Sequence, residues 1–76
     1  MTDIEFLNDL QTRSTQNVIV FVEFDELTRL KDLAGALPVL VPANLNRYAM
    51  QATEVYRLIR RGHQHLARQV AQQLRK

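Results

Sequence analysis

The amino-acid sequence predicts a small α+β domain in the order helix, strand, helix, short strand and long C-terminal helix. A run of β-branched and aromatic residues at 18–24 is typical of a strand. Apolar residues recur in steps of three and four before and after this run, which indicates amphipathic helices. The chain has 76 residues, so we expect one domain over residues 1–76 with a core of marginal size.

The first helix is predicted over residues 2–13. Thr2 and Glu5 match a capping box, in which each side chain hydrogen-bonds to the backbone amide of the other residue. Ile4, Leu7 and Leu10 form a narrow apolar stripe at helical spacing. The polar run at 14–17 is expected to end the helix.

The strand predicted at residues 18–24 is apolar on both faces. Alternate side chains of a strand point to opposite sides, and one side carries Val18, Val20, Val22 and Phe24 while the other carries Ile19 and Phe21. Such a strand needs cover on both faces. Because 46% of the residues are hydrophobic and the interior is small, we expect a second copy of the chain to supply part of this cover in a homodimer.

A second helix is predicted from Asp25, which is interpreted as its N-cap, to a stop marked by Gly35 and Pro38. Its apolar face consists of Leu27, Leu30, Leu33, Ala34 and Leu37. The segment Val39–Val41 follows between two prolines, and it is either a short edge strand or a buried extended turn.

The third helix is predicted from Asn44, as the cap, to about Arg61. Gly62 is a residue type that often ends helices, so we favour a break or kink there over one continuous helix. The helical pattern then resumes from His63 to Leu74. The apolar stripe of the whole region is Leu45, Tyr48, Ala49, Ala52, Val55, Tyr56, Ile59, Leu66, Val70 and Leu74.

Two architectures fit this order of elements. In the first, the strand at 18–24, the second helix and Val39–Val41 form a strand–helix–strand unit with parallel strands. In the second, the segments 25–37 and 44–61 form a helix-turn-helix. We favour the first because it uses the strongest strand signal in the chain.

Charge is distributed unevenly along the chain. The net charge is −4 for residues 1–32 and +6 for residues 33–76. A basic helix of this kind favours binding to nucleic acid, as in small transcription regulators. The candidate nucleic-acid-binding residues are Arg47, Gln51, Arg57, Arg60, Arg61 and Arg68. In the alternative interpretation, the acidic half neutralises the basic half, either within one chain or across a dimer.

Two short segments resemble known DNA-binding motifs. LAGAL at 33–37 followed by VPANLNRYA at 41–49 resembles the helix-turn-helix of small repressors, which implies base contacts by Asn44, Asn46, Arg47 and Gln51. The segment departs from that pattern at the turn, where Pro38-Val39-Leu40 is inserted. ATEVYRLIRRG at 52–62 resembles the second helix of excisionase-like regulators. The two resemblances assign incompatible roles, so no family is assigned.

A second hypothesis is a regulator or inhibitor that docks on a larger partner protein through its apolar stripe and charged faces. The predicted interface residues are Val18, Val20, Phe21, Tyr48, Val55, Ile59, Leu66 and Val70. The pairing of the acids in residues 1–32 discriminates between the hypotheses. If they bind the arginines of the third helix, the nucleic-acid hypothesis loses its support.

Other functional classes have little support in the sequence. There is no cysteine, one serine and no glycine-rich phosphate loop, so we expect neither an enzyme nor a cofactor. His63 and His65 lie two positions apart, about 200° around a helix, and so are not expected to bind one metal ion. No apolar run approaches the roughly 20 residues that cross a bilayer, and the acidic N-terminus lacks signal-peptide features. We therefore expect a cytoplasmic protein.

Overall fold

The computed structural model describes residues 1–38 and 46–74. Its elements are α1 (Asp3–Gln16), β1 (Ile19–Glu23), α2 (Phe24–Ala34), β2 (Arg47–Gln51) and α3 (Ala52–Leu74). The architecture is α+β and mostly helical, with two antiparallel strands. This confirms the predicted fold class and the order of element types. The position of the second strand and the start of the last helix differ from the prediction.

Helix α1 begins with the predicted capping box. The amide of Glu5 donates to the Thr2 hydroxyl at 3.2 Å, and the amide of Thr2 donates to the Glu5 carboxylate at 3.1 Å. Hydrogen bonding of the Glu5 carboxylate to the Thr2 side chain, and then to the Thr2 amide, lowers the pKa of Glu5. The helix continues three residues beyond the predicted end, and the polar residue Ser14 is buried there. The Ser14 hydroxyl donates to the Leu10 carbonyl at 2.8 Å.

The sheet pairs β1 with β2 in antiparallel register, from Ile19 opposite Gln51 to Glu23 opposite Arg47. The predicted parallel strand–helix–strand unit depends on Val39–Val41, which lies outside the described residues, so it stays a prediction. Residues 47–51 also satisfy strand alternation, since Tyr48 and Met50 point inward between exposed neighbours. These residues fit both helical spacing and strand alternation, and pairing with β1 favours the strand, because the backbone of β1 needs hydrogen-bond partners.

The helix-turn-helix alternative is wrong. The predicted helix at 44–61 contains the whole of β2, and α3 begins only at Ala52. Asn46, Arg47 and Gln51 consequently lie at or within a strand rather than on a recognition helix. Asn44 falls outside the residues that the structure describes.

Helices α2 and α3 each follow a strand without an intervening loop. The N-cap of α2 is Glu23 rather than the predicted Asp25, which lies in the first turn. The strand runs up to Glu23, and the amide of Glu23 donates to the Glu26 carboxylate at 3.0 Å. The Glu26 carboxylate therefore accepts a hydrogen bond from the N-cap residue at the start of the helix, where the sequence interpretation had expected capping by Asp25.

Helix α2 ends at Gly35, one of the two residues predicted to mark its end. The predicted apolar face continued to Leu37, which lies beyond the helix and is 84% exposed, so that part of the prediction is wrong. Gly35 has φ of 66°, in the left-handed region that favours glycine. Its amide donates to the Asp32 carbonyl at 3.1 Å, and the Ala36 amide donates to the Lys31 carbonyl at 2.9 Å. These bonds satisfy carbonyls in the last turn of the helix.

Helix α3 runs through Gly62 without the predicted break. Gly62 is buried, and a Cβ added there would lie 3.3 Å from Cδ1 of Leu7 on α1. A Cβ at position 62 would therefore require the Leu7 side chain to shift. Glycine at this position serves packing between helices rather than termination.

One cluster of buried side chains draws on all five elements. Its members are Phe6, Leu7, Leu10, Val20, Val22, Leu27, Leu30, Ala34, Met50, Ala52, Val55, Leu58 and Ile59. The helices cover the inner face of the sheet, where Val20, Val22 and Met50 are buried. Ile19 and Phe21 on the outer face remain exposed.

We expect the substitution Gly35→Ala to lower the free energy of unfolding by about 2 kcal/mol. The left-handed backbone costs about 1–2 kcal/mol for a residue with a Cβ, and the added Cβ would collide with the ring of His65. In a His65→Ala background the cost should fall to about 1 kcal/mol, because only the backbone strain remains. Urea denaturation of the wild-type protein, the two single variants and the double variant, followed by circular dichroism, measures both costs. Equal costs in the two backgrounds would show that the ring contact contributes nothing.

Candidate nucleic-acid interface

Three arginines form a stripe along the outer side of α3. Arg57, Arg61 and Arg68 are separated by four and seven residues, which places them on one face of a helix. All three are exposed, and they face away from the buried Val55 and Gly62. Eleven residues separate the first from the last, a distance of about 16 Å along the helix axis. We call this set the arginine stripe.

The arginines of the N-terminal half have a different environment. Arg13 forms ion pairs with Glu26 and, at 3.2 Å, with Asp9. Arg29 pairs with Asp3 at 2.8 Å, and its guanidinium lies 4.6 Å from the centre of the Phe6 ring. These contacts hold α2 against α1.

Every ion pair that the structure shows among residues 1–38 and 46–74 therefore joins groups within the acidic half. No acid of residues 1–32 forms an ion pair with an arginine of α3 in this part of the chain. The condition that would have removed support from the nucleic-acid hypothesis is not met. The hypothesis itself stays a prediction.

The Arg13–Glu26 pair shifts the pKa values of both groups. The hydrogen bond that Arg13 donates to Glu26 raises the pKa of Arg13, although burial acts in the opposite direction. For Glu26, burial is the largest effect and raises the pKa. It is outweighed by the hydrogen bonds from Arg13 and from the Glu23 amide together with the Arg13 charge, so the pKa of Glu26 is lowered.

The six predicted nucleic-acid-binding residues do not lie on one surface. Arg60 lies beside the arginine stripe, in a shallow groove with Tyr56 and His63. Arg47 and Gln51 lie on β2 and are exposed on the outer face of the sheet. The structure therefore groups Arg57, Arg61 and Arg68 on one side of α3 and separates the two strand residues from them.

The side chains around the arginine stripe differ along its length. Gln64 is exposed on the same side of α3, between Arg61 and Arg68. Arg68 also lines a polar cleft with Asp3 and Asp32, whose carboxylates offset part of its positive charge. We therefore expect Arg57 and Arg61 to dominate the local potential.

The predicted interface residues fall into three groups. Val20, Val55 and Ile59 are buried in the core of the single chain, so they are not available to a partner, and this part of the prediction is corrected. Tyr48 and Leu66 pack partly against that core. Val18, Phe21 and Val70 are exposed, with 83%, 60% and 54% of their surface accessible.

Sequence reasoning missed several residues that the structure brings out. The ion pairs of Arg13 and Arg29 join residues 13 and 26 positions apart, so local patterns carry no signal for them. Ile19 and Ala49 were not named as interface residues, although they lie beside Phe21 on the outer face of the sheet. Strand alternation predicted the orientation of Ile19, and only the register places Ala49 opposite Phe21.

Among residues 1–38 and 46–74, no group of three or more His, Asp or Glu side chains is placed to hold a metal ion. None of the helices in the same part of the chain combines the length and the apolar character needed to cross a membrane.

No family model, curated protein or solved structure matches this chain. Its function must therefore be inferred from its own residues and their arrangement.

We expect Glu26→Gln to reduce stability in a pH-dependent way. The lowered pKa of Glu26 means that its carboxylate adds stability above its unfolded value near 4.5, and this is lost as the pH falls through the folded pKa. The deficit of the variant should be at most about 1 kcal/mol at pH 7, because the pair is partly exposed, and should vanish in acid. Urea unfolding at pH 7, 5, 4 and 3 measures it.

The control for this experiment is Glu54→Gln, at an exposed position on α3. It should change the free energy of unfolding by no more than about 0.5 kcal/mol at pH 7. Glutamine at position 26 retains an oxygen that can accept the Glu23 amide, so the helix cap is preserved. A deficit for Glu26→Gln that stays constant from pH 7 to pH 3 would rule out the ionic contribution.

Proposed function

We propose that this protein is a small, non-enzymatic cytoplasmic regulator that binds nucleic acid through the arginine stripe of α3. One observation carries the proposal: the two kinds of arginine are segregated. Arg13 and Arg29 form ion pairs inside the acidic half, whereas the stripe is exposed and forms no ion pair with the residues that the structure describes.

The chemistry of the stripe suits phosphate groups. A guanidinium presents several N–H donors in a planar fork that matches two phosphate oxygens, and it stays charged at any physiological pH. Neutralising backbone phosphates releases bound counterions, which supplies most of the non-specific affinity for nucleic acid. Exposed arginines about 16 Å apart along one helix therefore favour a partner with regularly spaced negative charge.

The shape of α3 supports the same partner. From Ala67 to Leu74 every residue is exposed, so this end of the helix projects beyond the packed core. The major groove of a DNA duplex is about 12 Å wide and admits one α-helix. Arg68 lies on this projecting end, and Arg57 and Arg61 continue the same side along the packed part of α3, so the three side chains can reach phosphates that border such a groove.

We expect binding to depend little on sequence. Phosphate contacts position a protein on a duplex without reading its bases. Gln64, an uncharged polar residue between Arg61 and Arg68, is placed to contact a base edge. Arg47 and Gln51 lie on the sheet and are not needed for this mode of binding.

The alternative is a regulator that docks on a larger protein. It is supported by Val70 and Leu74 on the projecting end of α3, which are 54% and 80% exposed. It is weakened because Val55 and Ile59, in the same apolar stripe, are buried in the chain's own core. We therefore favour nucleic acid and treat the protein partner as the competing outcome of the binding experiment.

We expect the triple substitution Arg57→Ala, Arg61→Ala and Arg68→Ala to flatten the salt dependence of duplex binding. Each phosphate contact contributes about −0.9 to the slope of log K against log salt for B-DNA. Three lost contacts should make the slope less steep by about 2 to 3. Fluorescence anisotropy with a labelled random-sequence duplex, titrated between 50 and 200 mM salt, measures the slope.

The matched control replaces the same three residues with lysine. It keeps the charges and should retain most of the slope, whereas Arg47→Ala on β2 should leave the slope unchanged. Circular dichroism checks that each variant is folded. Unchanged duplex affinity and slope in the alanine triple variant would disprove the role of the stripe. Failure of the wild-type protein to bind any duplex at 50 mM salt would disprove the proposed function.

A further inference from the structure

The outer face of the two-stranded sheet is an exposed, partly apolar surface. Ile19 is 43% exposed and Phe21 is 60% exposed, and Ala49 lies beside them on β2. The helices cover only the inner face, where Val20, Val22 and Met50 are buried. An aromatic ring and a β-branched side chain side by side in solvent favour burial against another surface.

The strand register gives this face an internal complementarity. Phe21 on β1 lies opposite Ala49 on β2, which sets a large side chain against a small one. Glu23 lies opposite Arg47, which sets an acid against a base. The third pair on this face sets Ile19 opposite Gln51, an apolar side chain against a polar one. In two of the three pairs, therefore, β1 carries the larger or acidic residue and β2 the smaller or basic residue.

We propose that this outer face binds the same face of a second copy of the chain, with the two-fold axis parallel to the strands. Rotation about such an axis places β1 of one chain over β2 of the other. Phe21 then packs on the partner's Ala49, and Glu23 faces the partner's Arg47. Both contacts occur twice, as a two-fold interface requires. Two stacked sheets lie about 10 Å apart, which leaves room for one layer of side chains from each.

The pairing of large with small and of acid with base selects a second copy over an unrelated partner. A face that matches itself after rotation has the property needed for an isologous interface. The face of an unrelated protein would have to reproduce the same pattern independently. The sequence-based expectation that a second copy covers part of β1 stays a prediction, and this arrangement names the face that the copy covers.

The size of the face sets the strength of the dimer. Each strand has five residues, or about 17 Å of chain, and the two strands lie about 4.8 Å apart. The area of such a face is smaller than the roughly 800 Å² per partner that a stable interface buries. The dimer is therefore weak, with a dissociation constant above about 1 µM.

This inference goes beyond nucleic-acid binding and does not depend on it. The surface consists of the outward-facing residues of β1 and β2, which are Ile19, Phe21, Glu23, Arg47, Ala49 and Gln51. The arginine stripe begins at Arg57 on a different element. The dimer should therefore form without nucleic acid. It should also persist in the variant that replaces Arg57, Arg61 and Arg68 with alanine.

Sedimentation equilibrium of the full chain between 5 µM and 1 mM tests the proposal. The wild-type protein should change from the mass of one chain to that of two. Phe21→Ala should raise the dissociation constant at least tenfold. The double substitution Phe21→Ala with Ala49→Phe should restore it to within about threefold of wild type, because it exchanges the large and small residues between the strands. The arginine triple variant is the control and should dimerise like wild type.

Because Phe21 and Ala49 are exposed, these substitutions should leave the fold intact, as circular dichroism checks. Phe21→Thr keeps a high strand propensity and should weaken the dimer in the same way. A monomer at every concentration, or a dimer that Phe21→Ala does not weaken, would overturn the proposal. A folded double variant that stays as weak as Phe21→Ala would overturn the facing of Phe21 and Ala49.

Discussion

The hydrogen-bond ladder between β1 and β2 continues past both strands into the helices that follow them. The amide of Phe24, the first residue of α2, donates to the Asn46 carbonyl at 3.2 Å. The amide of Ala52, the first residue of α3, donates to the Val18 carbonyl at 2.8 Å. Each helix thus begins with one of its otherwise unpaired amides bonded to the opposite side of the sheet. The ladder fixes where both helices start.

The positions of the two proposed surfaces follow from this arrangement. Since α3 starts at the end of β2, its phase is fixed there, and Val55, Leu58 and Gly62 turn toward the core. The arginines at 57, 61 and 68 must then face outward. The same ladder directs Val20 and Val22 inward and leaves Ile19 and Phe21 in solvent. The charged helix face and the apolar sheet face are both consequences of one pairing.

Much of this fold was accessible from the sequence. The capping box at Thr2, the strand at 19–23 and the left-handed stop at Gly35 are local features, and local patterns predicted them. The exposed side of α3 was also predictable, because helical spacing assigns the arginines to the face opposite the apolar residues.

The misses share a physical cause, which is dependence on distant residues. Residues 47–51 fit a helical and a strand pattern equally well, and the requirement of β1 for a partner decides between them. Gly62 resembles a helix stop until Leu7 is placed against it. The ion pairs of Arg13 and Arg29 join α1 to α2, and they depend on how both helices pack on α3. Counting charges in each half of the chain therefore could not show which arginines were paired.

The same ladder constrains how the chain folds. Residues that pair across the strands are 24 to 32 positions apart, so closing the sheet orders a long segment before many contacts reward it. Helices α1 and α2 have 14 and 11 residues, near or below the roughly 12–15 that an isolated helix needs in water. Leu7 and Leu33 gain their neighbour at Gly62 only when α3 docks. During synthesis on a ribosome, α1, β1 and α2 therefore acquire lasting structure only after residues 47–62 have emerged.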